Sequence, residues 1–304
     1  MNPESRRIRL LTASLLIISF VASFFVIPYT GLSANASSHL SRAPTKFLNP
    51  GNYSENFVLQ GRPRFFILHV PPGKATKKRP LILVLPGATN TAQMTMNDTT
   101  FVYDANTSGD VVAFLQGYGL IFNEGAGANP SRRAGINDVA YVSDVLNKLR
   151  SLVNYNPKRV ALAGYSNGAM TTGLVGCRLS SKFSLIVPVE GEIPAPVSAT
   201  CHPTHPFSVL EVHATADPTI PYNGGTFAGT GAPVTVLSAP QAGQRWSHLE
   251  GCTAGPITID TTGIVTTRYS SCHGNVTVTL RTIIGGAHVW PWDIGLLVVN
   301  ALGH

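Results

Sequence analysis

A short apolar run, Val160–Ala163, leads straight into Gly164-Tyr165-Ser166-Asn167-Gly168, and a helix-compatible segment, Ala169–Leu179, follows. Few arrangements constrain a chain more. A strand must stop, reverse within a few residues and restart as a helix. Small residues two before and two after the serine let strand and helix close on each other. That strand–G-x-S-x-G–helix context is the one in which the motif means a nucleophile elbow. Ser166 is therefore the candidate nucleophile; the plainer alternative is a Gly-rich turn between a strand and a helix.

The rest of the chain reads as strands alternating with helices. Leu81–Leu85 is continuously apolar and β-rich, as expected of a strand buried on both faces. Similar runs occupy residues 110–115, 183–189 and 207–213, with later strands at 264–269 and 276–284. Residues 61–70 alternate enough to be an edge strand, and residues 37–55, polar and rich in Ser, Asn and Pro, read as a flexible lead-in. Between 136 and 150, apolar residues at 136, 139, 142, 145, 146 and 149 give one helical stripe, with Asn137 or Asp138 suited to its first turn. A second helix fits 240–249, and only a brief final helix fits 294–304. This alternation predicts an α/β fold with a mostly parallel central sheet flanked by helices.

The N-terminus is of another kind. Arg6, Arg7 and Arg9 precede an uncharged apolar stretch, Leu10–Pro28, and Ala34-Asn35-Ala36 fits a cleavage site. We expect residues 1–36 to be a secretory signal peptide, with an uncleaved membrane anchor as the alternative, and residues 37–304 to form one catalytic domain. The net charge of +7 is scattered rather than gathered into a basic stripe with interleaved aromatics, which argues against a nucleic-acid partner. Membrane contact is expected only if the N-terminal segment stays attached. The four cysteines in an exported chain point to two disulfides. Of three possible pairings, the sequential one closes the shortest loops, so Cys177–Cys201 and Cys252–Cys272 are expected. No Cys/His spacing suggests a metal site, and no cofactor is implied.

A serine at such an elbow needs an acid and then a histidine later in the chain. Asp217 follows the 207–213 strand directly, in His213-Ala-Thr-Ala-Asp217-Pro-Thr-Ile-Pro-Tyr222; Asp260 and Asp293 lack that context. His288, in Gly285-Gly-Ala-His288-Val-Trp290-Pro291, follows a strand near the C-terminus, and its glycines let a loop carry the imidazole back over the sheet. His213 precedes the acid, His248 falls on a helix, His273 sits beside Cys272, and His304 ends the chain. The oxyanion of an acyl-transfer intermediate needs two backbone N–H donors; Asn167 and Ala88 are the candidates. Tyr165, Tyr222 and Trp290 either line the cleft and pack on a ring of the substrate or are partly buried packing residues.

Three collinear segments, Gly164–Met170, His213–Gly225 and Gly285–Pro291, together with Ile136–Tyr141, resemble the secreted polyhydroxybutyrate-depolymerase and feruloyl-esterase family of α/β-hydrolases, over roughly residues 62–291. The resemblance implies the same Ser166, Asp217 and His288, and its late cysteine pair matches Cys252 and Cys272. It departs at Pro86-Gly87, where the family usually has His-Gly, and at Pro291-Trp292-Asp293, where it usually has Pro-Gly. The implied reaction is hydrolysis of a carboxylic ester, a feruloyl or acetyl ester of a polysaccharide or an aliphatic polyester, by a secreted monomer. The alternatives are a catalytically weak binding protein on the same scaffold and an acyltransferase using the same triad.

Overall fold

The computed structural model of the protein describes residues 47–303. In chain order the strands are β1 (Gly51–Leu59), β2 (Arg62–Val70), β3 (Arg79–Leu85), β4 (Val111–Leu115), β5 (Tyr155–Tyr165), β6 (Leu185–Val189), β7 (Ser208–Ala214), β8 (Gly225–Ala228), β9 (Pro233–Val236), β10 (Ala254–Thr261), β11 (Ile264–Ser270) and β12 (Val278–Ile283). The helices are α1 (Ala92–Asp98), α2 (Phe101–Ser108), α3 (Pro130–Arg133), α4 (Asp138–Leu152), α5 (Asn167–Arg178), α6 (Ala195–Ala199), α7 (Ala239–Leu249) and α8 (Ile294–Leu302). The segment read as a signal peptide, residues 1–36, lies outside the described residues. No described helix is long and apolar enough to cross a membrane.

Ten strands form one sheet in the order β1-β2-β4-β3-β5-β6-β7-β12-β11-β10. Its centre, from β4 to β12, is parallel, and antiparallel pairs finish both edges. Successive side chains of a strand point to opposite faces, and β3 shows the consequence. Leu81, Leu83 and Leu85 join the core under α4, α5 and α7, whereas Ile82 and Val84 join the core under α1, α2 and α8. Both faces of β3 are covered, so all seven of its residues are buried. The α4 stripe packs as its spacing predicts: Val142, Val145, Leu146 and Leu149 are buried, and Asn137 Oδ1 caps the helix by accepting from the Ala140 N–H at 2.9 Å.

The lead-in expected over 37–55 is corrected from Gly51 onward, because β1 begins there and pairs with β2 over its whole length. Exposure alternates along it: Tyr53, Phe57 and Leu59 are half-buried against the core while Asn52, Ser54 and Asn56 face solvent. An edge strand that buries one face needs few apolar residues, so its composition looks like a loop. The disulfides join Cys177 to Cys201 and Cys252 to Cys272. The first ties the end of α5 to the segment after α6, and the second closes the ends of the β10–β11 hairpin.

A buried ion pair fixes the loop that leads to the site. Arg64 of β2 donates to Asp138 Oδ1 at 2.6 Å and lies over the Tyr141 ring. Asp138 Oδ2 accepts from the Asn123 N–H at 2.7 Å, which anchors residues 122–124 against the sheet.

Candidate active site

Every candidate residue sits at the carboxyl ends of the parallel strands, the edge at which open α/β sheets place their sites. Ser166 lies between the end of β5 and the start of α5, as the N-cap of the helix. Its backbone is at φ 57° and ψ −118°, a conformation that costs a non-glycine residue about 1–3 kcal/mol. The surroundings hold it there. The Ser166 N–H donates to the Val189 carbonyl at 2.9 Å, and its carbonyl accepts from Ala169 and Met170. Glycine is needed on both sides: a Cβ on Gly164 would collide with the Gly168 carbonyl, and one on Gly168 with the Leu85 carbonyl.

Asp217 follows β7 and His288 follows β12. The parallel pairing of these two strands brings their loops together, and three hydrogen bonds join them. Thr215 N–H donates to the Ile283 carbonyl, Ala216 N–H to the Gly286 carbonyl, and Gly285 N–H to Thr215 Oγ1. His288 Nδ1 then lies 2.6 Å from Asp217 Oδ2, and Nε2 lies 2.9 Å from Ser166 Oγ. A carboxylate accepts, so Nδ1 carries the hydrogen and Nε2 is free to accept from the serine hydroxyl. Asp217 is buried. Burial opposes its charge, yet hydrogen bonds from His213, His288 and the N–H groups of Thr219 and Ile220 hold its carboxyl well below the usual carboxylate range.

On the other side of Ser166, the loop after β3 passes close to the elbow. A Cβ on Gly87 would come within 2.8 Å of the Tyr165 ring and 3.3 Å of Ser166 Cβ, so Pro86-Gly87 leaves the loop pressed against the serine. Ala88, Ser166 and Asn167 together line a cavity of about 60 Å³. None of the loop and cap hydrogen bonds among the described residues uses the N–H of Ala88 or Asn167. Both donors therefore remain available to an oxygen in the cavity, at the positive end of the α5 dipole.

The cavity walls were not anticipated. Met170, Ile220, Phe227 and Val234 line it, and the β8–β9 hairpin closes one side. β8 is largely exposed, and β9 has only four residues, too short a run for its alternation of exposed and buried positions to stand out in the sequence. Glu124 also lines it. Its Oε2 accepts from the Asn167 and Asn129 side-chain amides, and burial pushes its carboxyl up to about 7.

Of the three candidates for the cleft lining, Tyr165 and Trp290 stand behind the histidine instead of in this cavity. The Tyr165 hydroxyl donates to the His288 carbonyl at 2.7 Å, and its ring stacks on Trp290 with centroids 5.1 Å apart. Trp290 in turn meets Phe101 edge-on at 5.9 Å. Tyr222 bonds Thr282 and lines a separate hollow with Pro240 and Tyr269. A larger cavity of about 580 Å³ opens beside β2, lined by Phe65, Gln116 and Leu120, and includes none of Ser166, Asp217 and His288. Glu190, His213 and Asp217 offer possible metal-ligand atoms within 4.8 Å of one another, but His213 Nε2 and Asp217 Oδ2 are already engaged in hydrogen bonds within the protein.

No family model matches the chain. It is similar to feruloyl esterase B of Piromyces equi, 28% identical over 233 residues, which are 74% of this chain and 42% of that protein. It is also similar to the putative esterase NocK of Nocardia uniformis subsp. tsuyamanensis, 27% identical over 256 residues, 77% of this chain and 72% of that protein. The chain thus spans about two fifths of the first relative and about seven tenths of the second. Among solved structures, acetyl xylan esterase from Aspergillus awamori matches with a TM-score of 0.61 at 12% identity, over 79% of this chain and 94% of that one. A likeness at that identity establishes the fold, which is that of the α/β-hydrolases.

Proposed function

We propose that this feruloyl-esterase-like α/β-hydrolase cleaves carboxylic esters through an acyl-enzyme on Ser166. The observation that carries the reading is the continuous chain Ser166 Oγ–His288–Asp217, with separations of 2.9 and 2.6 Å. His288 Nε2 takes the serine proton as Oγ attacks the ester carbonyl carbon. Asp217 holds the ring in the reactive tautomer and stabilises the imidazolium. The carbonyl oxygen, now an oxyanion, receives the N–H groups of Asn167 and Ala88. As the tetrahedral intermediate collapses, the imidazolium passes its proton to the departing alkoxide. Water then attacks the acyl-enzyme by the same route, and the acid leaves with Ser166 restored.

The substrate is a feruloyl or acetyl ester carried on a polysaccharide, or an aliphatic polyester, and the cavity favours a short acyl group among these. A volume of about 60 Å³ is small beside the ~300 Å³ and upward of pockets that hold drug-sized ligands. An acetyl group fits such a space, whereas a feruloyl group requires the β8–β9 hairpin to move. An ester panel tests this. We expect kcat/KM for methyl acetate to exceed that for methyl ferulate, which has the same leaving group, by roughly tenfold or more, with acetylated xylan accepted and polyhydroxybutyrate turned over slowly. A preference for methyl ferulate would refute the size argument, and no turnover of any ester would refute the reading itself. We place the reaction outside the cell: the 1–36 pattern and two disulfides support an oxidising compartment.

A further inference from the structure

Behind Asp217 lies a second histidine that the reaction does not touch. His213 is fully buried on β7. Its Nε2 lies 3.2 Å from Asp217 Oδ2, 3.0 Å from the Ile220 carbonyl and 3.4 Å from Glu190 Oε2. The Ile220 carbonyl can only accept, so Nε2 carries a hydrogen. On the far side, Nδ1 is hydrogen-bonded to Glu192 Oε1. One Asp217 oxygen, Oδ2, therefore faces two imidazoles at once, His288 in front and His213 behind, while Oδ1 is taken by two backbone N–H groups.

We propose that His213, held by Glu192, is a positioning residue that carries a second positive charge behind Asp217, fixing that carboxylate toward His288 and limiting how strongly it holds the His288 proton. The proposal rests on the triad reading above. The charge has local support. Burial alone would disfavour a protonated ring, but hydrogen bonds to Asp217 and Glu192 and the charges of Glu192 and Glu190 outweigh it and raise the ring to about 10. The other groups facing this cluster are accounted for. Burial pushes Glu190 up to about 8 and holds Glu192 and Glu211 above their ordinary values. Tyr165 is raised by burial and by the charges of Glu190 and Asp217 and stays neutral. Tyr222 meets the His213 ring edge-on and bonds Thr282. The side chains thus form one line, Glu192, His213, Asp217 and His288, in which carboxyl groups alternate with imidazoles.

The consequence has a definite sign. An imidazolium formed on His288 during the reaction shares Asp217 with a cation already present. Without that cation Asp217 pulls harder on the His288 proton, and the enzyme needs a higher pH to free the base. In His213→Gln, whose amide can still donate to Asp217 or to the Ile220 carbonyl, we expect the acidic limb of the kcat/KM profile to move up by about one pH unit, the size of one charge-assisted hydrogen bond. The plateau rate and KM should stay within a few-fold. His213→Leu removes the donor as well, so its plateau kcat should fall by about tenfold or more with KM little changed, and Gln should rescue most of that loss. A folded Gln variant with the wild-type acidic limb overturns the proposal.

Nitrogen NMR of the wild-type imidazoles decides the matter even where the variants fail to fold. Both His213 nitrogens should remain protonated from pH 6 to 9, and a singly protonated ring at pH 7 overturns the proposal. Activity retained by Ser166→Ala would sink the triad reading instead, so the two failures are distinguishable.

Discussion

We expect Ser166→Ala to lose ester hydrolysis by a factor on the order of 10⁶ in kcat while keeping its fold and its affinity for substrate. The size of the effect follows from the way the three side chains act as one unit. Without Oγ there is no acyl-enzyme, and His288 has no proton to take; only the oxyanion donors and the binding of substrate remain. The donors proposed for the oxyanion, the N–H groups of Ala88 and Asn167, are left in place by the substitution. The fold should tolerate the change because alanine keeps the Cβ that packs near Gly87 and makes the same backbone bonds to Val189, Ala169 and Met170. The positive φ is unrelieved in the variant, so stability should change little. The measurement is p-nitrophenyl acetate turnover beside a thermal melt. Full activity in a folded Ser166→Ala protein would remove this serine from the mechanism.

Asp217→Asn is the second large effect, a loss of about 10⁴-fold in kcat. Here the geometry is nearly conserved and the proton is not. Asp217 Oδ1 accepts from the Thr219 and Ile220 N–H groups, and an asparagine keeps its amide oxygen there. Its NH₂ must then occupy the Oδ2 position, facing His288 Nδ1 and His213 Nε2. Both were donors to a carboxylate. His288 responds by accepting at Nδ1, which places its hydrogen on Nε2, pointed at Ser166 Oγ, the wrong tautomer for a base. His213 has no such freedom, since its Nε2 also serves the Ile220 carbonyl, so the variant should lose stability as well. Activity within tenfold of wild type would show that His288 does not depend on this carboxylate.

The parts of the fold that were legible in the sequence are those governed by burial on both faces. β3, β4 and β6 are short apolar runs because helices cover the sheet above and below, and every residue in them is buried. The chain order of Ser166, Asp217 and His288 is legible because each follows a strand of the parallel centre, although β12 is buried only at alternate positions. The sheet's edges were harder. β1 alternates half-buried Tyr53 and Phe57 with exposed polar residues, and β10 is exposed at all eight positions, so neither has an apolar run to recognise.

The cavity walls were hidden for another reason. Phe227 and Val234 reach Ser166 only because the β8–β9 hairpin folds over it, and a hairpin's destination is set by tertiary packing. Residue type leaves Tyr165 and Trp290 open to both cleft lining and packing. In the structure their rings and the Tyr165 hydroxyl brace the His288 loop, a role that residue type alone does not distinguish from binding. His213 was set aside because it precedes the acid, and chain order does not register a residue that acts through Asp217 from behind.

The central claim is that Ser166 is an activated nucleophile, and a fluorophosphonate tests it most directly because the reagent reports on the serine without assuming any substrate. Incubated with the folded protein and followed by peptide mapping, it should add one phosphonyl group on the peptide containing Ser166, and Ser166→Ala and heat-denatured protein should both stay unlabelled. Folded wild-type protein that takes up no label, or carries it on another residue, would contradict the account.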